Sequence, residues 1–237
     1  MIRIPPQNME IEQIYSQMMG ENNRAIAISS ANHSEGVTSI ALALAQRNLL
    51  AGHTTLLVDL NLYKPSLEKL LTLDISTLKD DSLETPQLIT VQEHPLALVG
   101  ITSPSRRDMV LKLRTPGVLE QFIVEWQKTF ETIIFDTSPI NRINANNIPA
   151  ERVAAACDGC LLVVLAGSTA EAMVSAAVDK LAHANATLLG CIFNDRDNPT
   201  LKNELLREIL RLEPRFGGLS RRIGDWIRNS HILATDI

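Results

Sequence analysis

Ser30-Ala-Asn-His-Ser-Glu-Gly36-Val37-Thr38-Ser39 decides how this chain is read, because it is a phosphate-binding loop with its lysine missing. Residues 25–29 before it, Ala-Ile-Ala-Ile-Ser, read as a buried strand, and residues 40–50 read as a helix. A small polar turn between a strand and a helix is where backbone N–H groups and the helix N-terminus cradle phosphate. Such loops place Gly-Lys-[Ser/Thr] at the helix start, with the lysine on the β- and γ-phosphates and the hydroxyl on magnesium. Gly36 and Thr38 hold their places, but the lysine position is Val37. A branched apolar side chain neutralises no phosphate charge. His33, also within the loop, is mostly uncharged at neutral pH and is a poor stand-in.

Two further strands end in carboxylates. Leu56-Leu57-Val58-Asp59 runs on into Leu60-Asn61-Leu62-Tyr63-Lys64-Pro65, and Thr132-Ile-Ile-Phe-Asp136 is followed by Thr137-Ser138-Pro139. Ligands of open parallel sheets sit at the carboxyl ends of strands. Asp59 and Asp136 are therefore expected near the loop, where magnesium and its waters need hard oxygen ligands. Each aspartate alone reads equally well as a cap for the following turn. Two of them, spaced correctly after such a loop, favour the metal.

The pattern along the chain alternates. Strands are predicted at 25–29, 55–59, 96–101, 132–136, 160–165 and 187–194, with helices at 37–51, 117–129, 148–156 and 170–184. Strands alternating with helices of this length mean βαβ units: an α/β fold, mainly parallel sheet with helices on both faces. Residues 74–95 are polar, carry two prolines and read as a surface excursion.

These residues resemble the cytoplasmic kinase domain of the bacterial tyrosine kinases of capsule and exopolysaccharide synthesis, members of the deviant-Walker P-loop ATPases with ParA and MinD. The resemblance spans roughly residues 11–199. The family loop, Ser-Ala-x-Pro-Gly-Glu-Gly-Lys-[Ser/Thr], is matched over residues 30–38 except at His33, Ser34 and Val37. Its Asp-x-Asp-x-Arg-x-Pro-Ser motif is met by Asp59, Pro65 and Ser66, with Asn61 for the second acid and Tyr63 for the arginine. Its Asp-Thr-Pro-Pro segment is met by Asp136, Thr137 and Pro139. Downstream, residues 156–165 look like the family's Ala-Asp-Gly strand, Thr169 opens the next helix, and residues 189–194 look like the strand whose last Asn contacts adenine.

The resemblance implies a P-loop NTPase fold over the single domain 1–237. It names Ser34, Glu35, Gly36, Val37, Thr38, Ser39 and Asn194 as the nucleotide-binding set. Thr38, Asp59 and Asp136 become the magnesium set. It also implies departures. Asn61 cannot act as a base. The family's Glu-x-x-Arg-x-x-Arg ring-assembly helix becomes Glu12-Gln-Ile-Tyr15-Ser-Gln-Met18, within an N-terminal helical arm at 1–23, and the tyrosines are Tyr15 and Tyr63 rather than a C-terminal cluster. ATP or ADP with Mg2+ is thus expected to bind weakly or not at all, and no catalytic residue is assigned.

Composition places the rest. The chain has 237 residues, 45% hydrophobic and 21% charged, ordinary for one globular α/β domain. Its net charge of −5 gives no general attraction for nucleic acid. Residues 1–7 hold two prolines and no apolar run, so no signal peptide is predicted. The longest apolar stretch, 159–167, is far short of the ~20 residues that span a bilayer. Cys157-Asp-Gly-Cys160 is formally a C-x-x-C, but without a second pair or a clustered His it reads as core packing, as does Cys191.

Residues 201–212 read as a helix, and Leu219, Ile223, Trp226 and Ile227 fall on one stripe of an amphipathic helix within 213–237, flanked by arginines. Packing on the core is the preferred reading of that stripe, ahead of a partner or a membrane interface. Function is expected to be that of a cytosolic scaffold or regulator of polysaccharide synthesis or export. It would act through a protein partner such as a membrane co-polymerase or synthase, as a homo-oligomer or alone. The alternatives are an active but atypical tyrosine kinase and a ParA/MinD-type positioning ATPase. The location expected is cytoplasmic, or peripheral at the inner membrane through a partner or the terminal helix.

Overall fold

The computed structural model describes residues 4–19, 23–65, 67, 87–90, 97–142, 144–196 and 209. The chain divides into two compact units, Met1–Asn194 and Asp195–Ile237. The helices expected over 201–212 and 213–237 lie outside the described residues apart from Ile209.

The first unit is a seven-stranded sheet in the order β3-β4-β2-β5-β1-β6-β7. Its strands are β1 (Ala25–Ser30), β2 (Thr55–Leu60), β3 (Gln87–Thr90), β4 (Ala97–Ile101), β5 (Thr132–Thr137), β6 (Gly159–Leu165) and β7 (Leu188–Asn194). Six strands are parallel; β3 joins the edge antiparallel to β4. The central strands β1, β2, β5 and β6 are buried along their whole length. Strands covered on both faces must be apolar nearly throughout, which is why they read as continuous runs rather than alternating ones.

Successive side chains nonetheless point to opposite faces. Ile26, Ile28, Leu57, Ile134, Leu161 and Val163 face one cluster, built with Ile11, Met18 and the apolar residues of α2 (Val37–Leu50). Ala25, Ala27, Leu56, Val58, Phe135 and Leu162 face the other. That side is covered by α3 (Arg107–Leu113), α4 (Val118–Trp126), α5 (Ala150–Ala156) and α6 (Glu171–His183). The remaining helix, α1 (Met9–Met18), starts on Asn8, whose side chain accepts the Glu10 N–H at 2.9 Å.

Two elements depart from the sequence expectation. Part of the presumed surface excursion, β3, extends the sheet. A seven-residue helix, α3, precedes α4, buries only Val110 and Leu113, and is too short to show a repeating apolar stripe. Gly117, at φ 85°, separates the two helices in a left-handed conformation that glycine adopts without strain.

Candidate nucleotide site

The phosphate loop leaves β1 at Ser30 and enters α2 at Val37. Two residues in it take positive φ, Ser34 at 64° and Gly36 at 100°. Left-handed residues beside right-handed ones turn consecutive N–H groups into a concave nest for anions. Ser30 Oγ donates to the Asn32 carbonyl at 2.6 Å, fixing the first bend. Val37 is 6% exposed and belongs to the apolar cluster under α2. It supplies packing at the position where the fold otherwise supplies charge.

Thr38 and Asp136 meet. Thr38 Oγ1 donates to Asp136 Oδ2 at 2.6 Å, joining the first turn of α2 to the end of β5. Asp59 lies opposite Asp136 in the parallel register of β2 and β5. Both Asp59 oxygens accept backbone N–H groups, from Asn61 at 2.9 Å and Leu67 at 3.1 Å. In this geometry Asp59 shapes the turn after β2. Asn61 replaces a carboxylate with an amide that donates to Asp136 Oδ1 at 3.4 Å, while its own Oδ1 accepts the Lys64 N–H at 3.2 Å. Asn61 thus sets a neutral donor beside the Asp136 carboxylate.

Magnesium is usually held through one or two carboxylates, phosphate oxygens and retained waters rather than a protein cage. The Thr38 hydroxyl and the Asp136 carboxylate fit such a hydrated ion. Among the described residues no group of three or more His, Cys, Asp or Glu forms a cage. When bound, the ion would neutralise phosphate charge, and Thr38, Asp136 and the loop would hold it.

The loop's back is latched by residues from two other strand ends. Glu35 is 2% exposed; its Oε1 accepts the Thr169 hydroxyl, and its Oε2 is buried without a hydrogen-bond partner among the described residues. Burial pushes the Glu35 carboxyl above its ordinary pKa, against the opposing pull of Thr169 and of backbone N–H groups at Asn32 and Ala31. Asn194, at the end of β7, donates to the Glu35 carbonyl at 2.8 Å. The residue expected to read adenine is thus tied to the phosphate loop. At the mouth, His33 and Tyr63 stack, ring centroids 6.1 Å apart and 14° from parallel. Both stand where the family pattern has other residues, so the contact replaces a proline and an arginine together. Ser34 is exposed and Ser39 is buried in α2.

A mainly parallel α/β sheet with a Gly-x-Thr loop after the inner strand β1 and an aspartate near the end of its neighbour β5 defines a P-loop NTPase-type protein. No protein-family model matches the chain. Tyrosine-protein kinase CpsD of Streptococcus agalactiae is 30% identical over 196 residues, covering 75% of this chain and 78% of that protein. The succinoglycan biosynthesis transport protein ExoP of Rhizobium meliloti is 27% identical over 187 residues, covering 76% of this chain and 23% of its own length. The kinase domain of Escherichia coli tyrosine kinase ETK superposes with a TM-score of 0.62 at 19% identity, covering 77% of this chain and 71% of that one. The chain belongs to the CpsD-type bacterial tyrosine-protein kinase family.

Sequence reading missed three participants. Thr169 was placed at a helix start, but its bond to Glu35, 134 residues away, leaves no local signal. Asn32 and Arg142 meet across 110 residues, Arg142 Nε donating to Asn32 Oδ1 at 2.9 Å. The cysteines fall outside the site and are free thiols. Burial raises all three: Cys157 well above its ordinary value, Cys160 to about 12, and Cys191 above its ordinary value. A thiol held protonated is a poor nucleophile and metal ligand. Cys191 departs from the core reading, being exposed on the edge strand β7.

Proposed function

We propose that this chain is a degenerate family member that acts without ATP hydrolysis, as a scaffold or regulator in capsule or exopolysaccharide synthesis or export. The observation that carries this is Val37, buried in the apolar cluster at the lysine position. The group that neutralises β- and γ-phosphate charge is absent from its usual place. Asn61 adds to the case, since an amide bonded to Asp136 accepts no proton from a substrate hydroxyl. The pathway is supported by family membership and by the named role of the ExoP relative. A cytosolic placement and a membrane-bound partner, a co-polymerase or synthase, belong to the same proposal. No described helix is long and apolar enough to cross a membrane.

The test is turnover. Purified full-length chain with ATP and Mg2+ is expected to release phosphate at the rate of a no-protein control, and mass spectrometry is expected to find no phosphotyrosine at Tyr15 or Tyr63. A magnesium-dependent rate that disappears in Asp136→Ala would overturn the reading.

A further inference from the structure

The loop that follows β5 brings a cation to the phosphate loop. Its start is tied to the end of β1, the Ile140 N–H donating to the Ser30 carbonyl at 2.8 Å. Asn141 donates to the Met173 carbonyl of α6 at 2.8 Å, and Lys180 Nζ donates back to Asn141 Oδ1 at 3.1 Å. Asn147, itself buried, donates to the Arg142 carbonyl at 3.2 Å. Arg114 clasps the far side, donating to the carbonyls of Ala145 at 2.9 Å and of Asn147. Hydrogen bonds thus hold Asn141 before Arg142, the Arg142 carbonyl itself, and residues 145 and 147 after it. Its side chain is exposed and spends one N–H, at Nε, on Asn32 of the phosphate loop. A guanidinium has five N–H donors in a planar fork. The fork left over is the part that matches a phosphate.

A polyphosphate in the loop would need a cation beside it. The loop holds Glu35 and borders Asp136, and Val37 offsets neither. His33 is exposed and its ring stacks on Tyr63. Lys64 is exposed beyond the turn after β2, where its backbone N–H, not its ammonium, bonds Asn61. Arg106 pairs with Asp108 at 2.6 Å. Arg142 is a cation whose side chain touches the loop, through Asn32.

We propose that Arg142 replaces the missing lysine in binding, and that the loop grips the polyphosphate of a nucleoside di- or triphosphate through this guanidinium. Binding of this kind rests on the nucleotide-site reading but requires no hydrolysis. A protein that holds ATP without spending it is suited to signalling nucleotide occupancy to a partner.

The experiment is calorimetry on the full chain with Mg2+, using ATP, inorganic tripolyphosphate and adenosine as separate probes. Wild type is expected to bind ATP and tripolyphosphate. Arg142→Ala should lose about tenfold or more for both, the loss of one charge-assisted contact, while keeping its melting temperature and any adenosine binding. Arg142→Lys, which keeps the charge, should recover most of that loss. If Lys and Ala variants bind alike, Arg142 acts only by holding Asn32 and the proposal falls. It falls equally if wild type binds neither polyphosphate, a result that leaves the absence of turnover standing. Measurable hydrolysis with intact Arg142-dependent binding would instead overturn the pseudo-enzyme reading alone.

Discussion

Val37 shows how one side chain changes what a conserved backbone shape can do. The loop has a left-handed Gly36 and a Thr38–Asp136 hydrogen bond, the frame on which the proposed phosphate and hydrated-ion site rests. The branched side chain turns its surface to the apolar cluster instead of the anion. Val37→Lys is expected to raise ATP affinity by about tenfold or more, because a charge-assisted contact is worth ~1.5–3 kcal/mol. It should also lower the melting temperature, since burying a valine side chain contributes about 1.5 kcal/mol or more. Calorimetry paired with a thermal melt checks both, and a folded variant with no gain in affinity would show that His33 and Ser34 have reshaped the loop. Val37 and Asn61 were legible in the sequence because they break a spaced motif. Arg142 and Thr169 were not, because their roles come from tertiary contacts over more than a hundred residues.

At the scale of elements, the six parallel strands were legible within a residue or so, since each is an apolar run bounded by polar turns. What failed was short. The four residues of β3 carry no period, and its antiparallel pairing depends on β4 being there to receive it. Gly159 shows a constraint that the family-like Ala-Cys-Asp-Gly stretch signals without explaining. A Cβ at that position would lie 2.5–2.7 Å from the branched end of Leu189 on the neighbouring β7, so any side chain there requires Leu189 to turn aside. Asp158 beside it accepts the N–H groups of Arg24 at 2.8 Å and Ala25 at 2.7 Å, which leaves the segment little room to shift. Gly159→Ala is therefore expected to destabilise by ~1–3 kcal/mol, the usual cost of overpacking. Chemical denaturation measures it, and Leu189→Ala in the same chain should restore part of the loss. An unchanged midpoint for Gly159→Ala would mean that Leu189 moves aside freely.

Across the first unit, the helix that family resemblance assigns to ring assembly packs against α2 of the same chain. Glu12 bonds Arg47 of α2 at 2.5 Å, the Arg47 guanidinium lies 4.4 Å from the Tyr15 ring centre, and Tyr15 donates to Asn48 at 3.1 Å. Met18, at the second arginine position of the motif, is fully buried. The three residues that would reach a neighbouring subunit are spent on holding α1 against α2 of the same chain. Arg47 also keeps the Glu12 carboxyl below its usual pKa, so this pairing persists at neutral pH and weakens only in acid. The chain is thus expected to run as a monomer in light scattering at micromolar concentration, with or without ATP. Glu12→Ala should leave it monomeric, because Glu12 bonds Arg47 within its own chain. A wild-type particle of several chains that dissociates in Glu12→Ala would show that Glu12 serves a neighbour after all, and would return ring assembly to this member of the family.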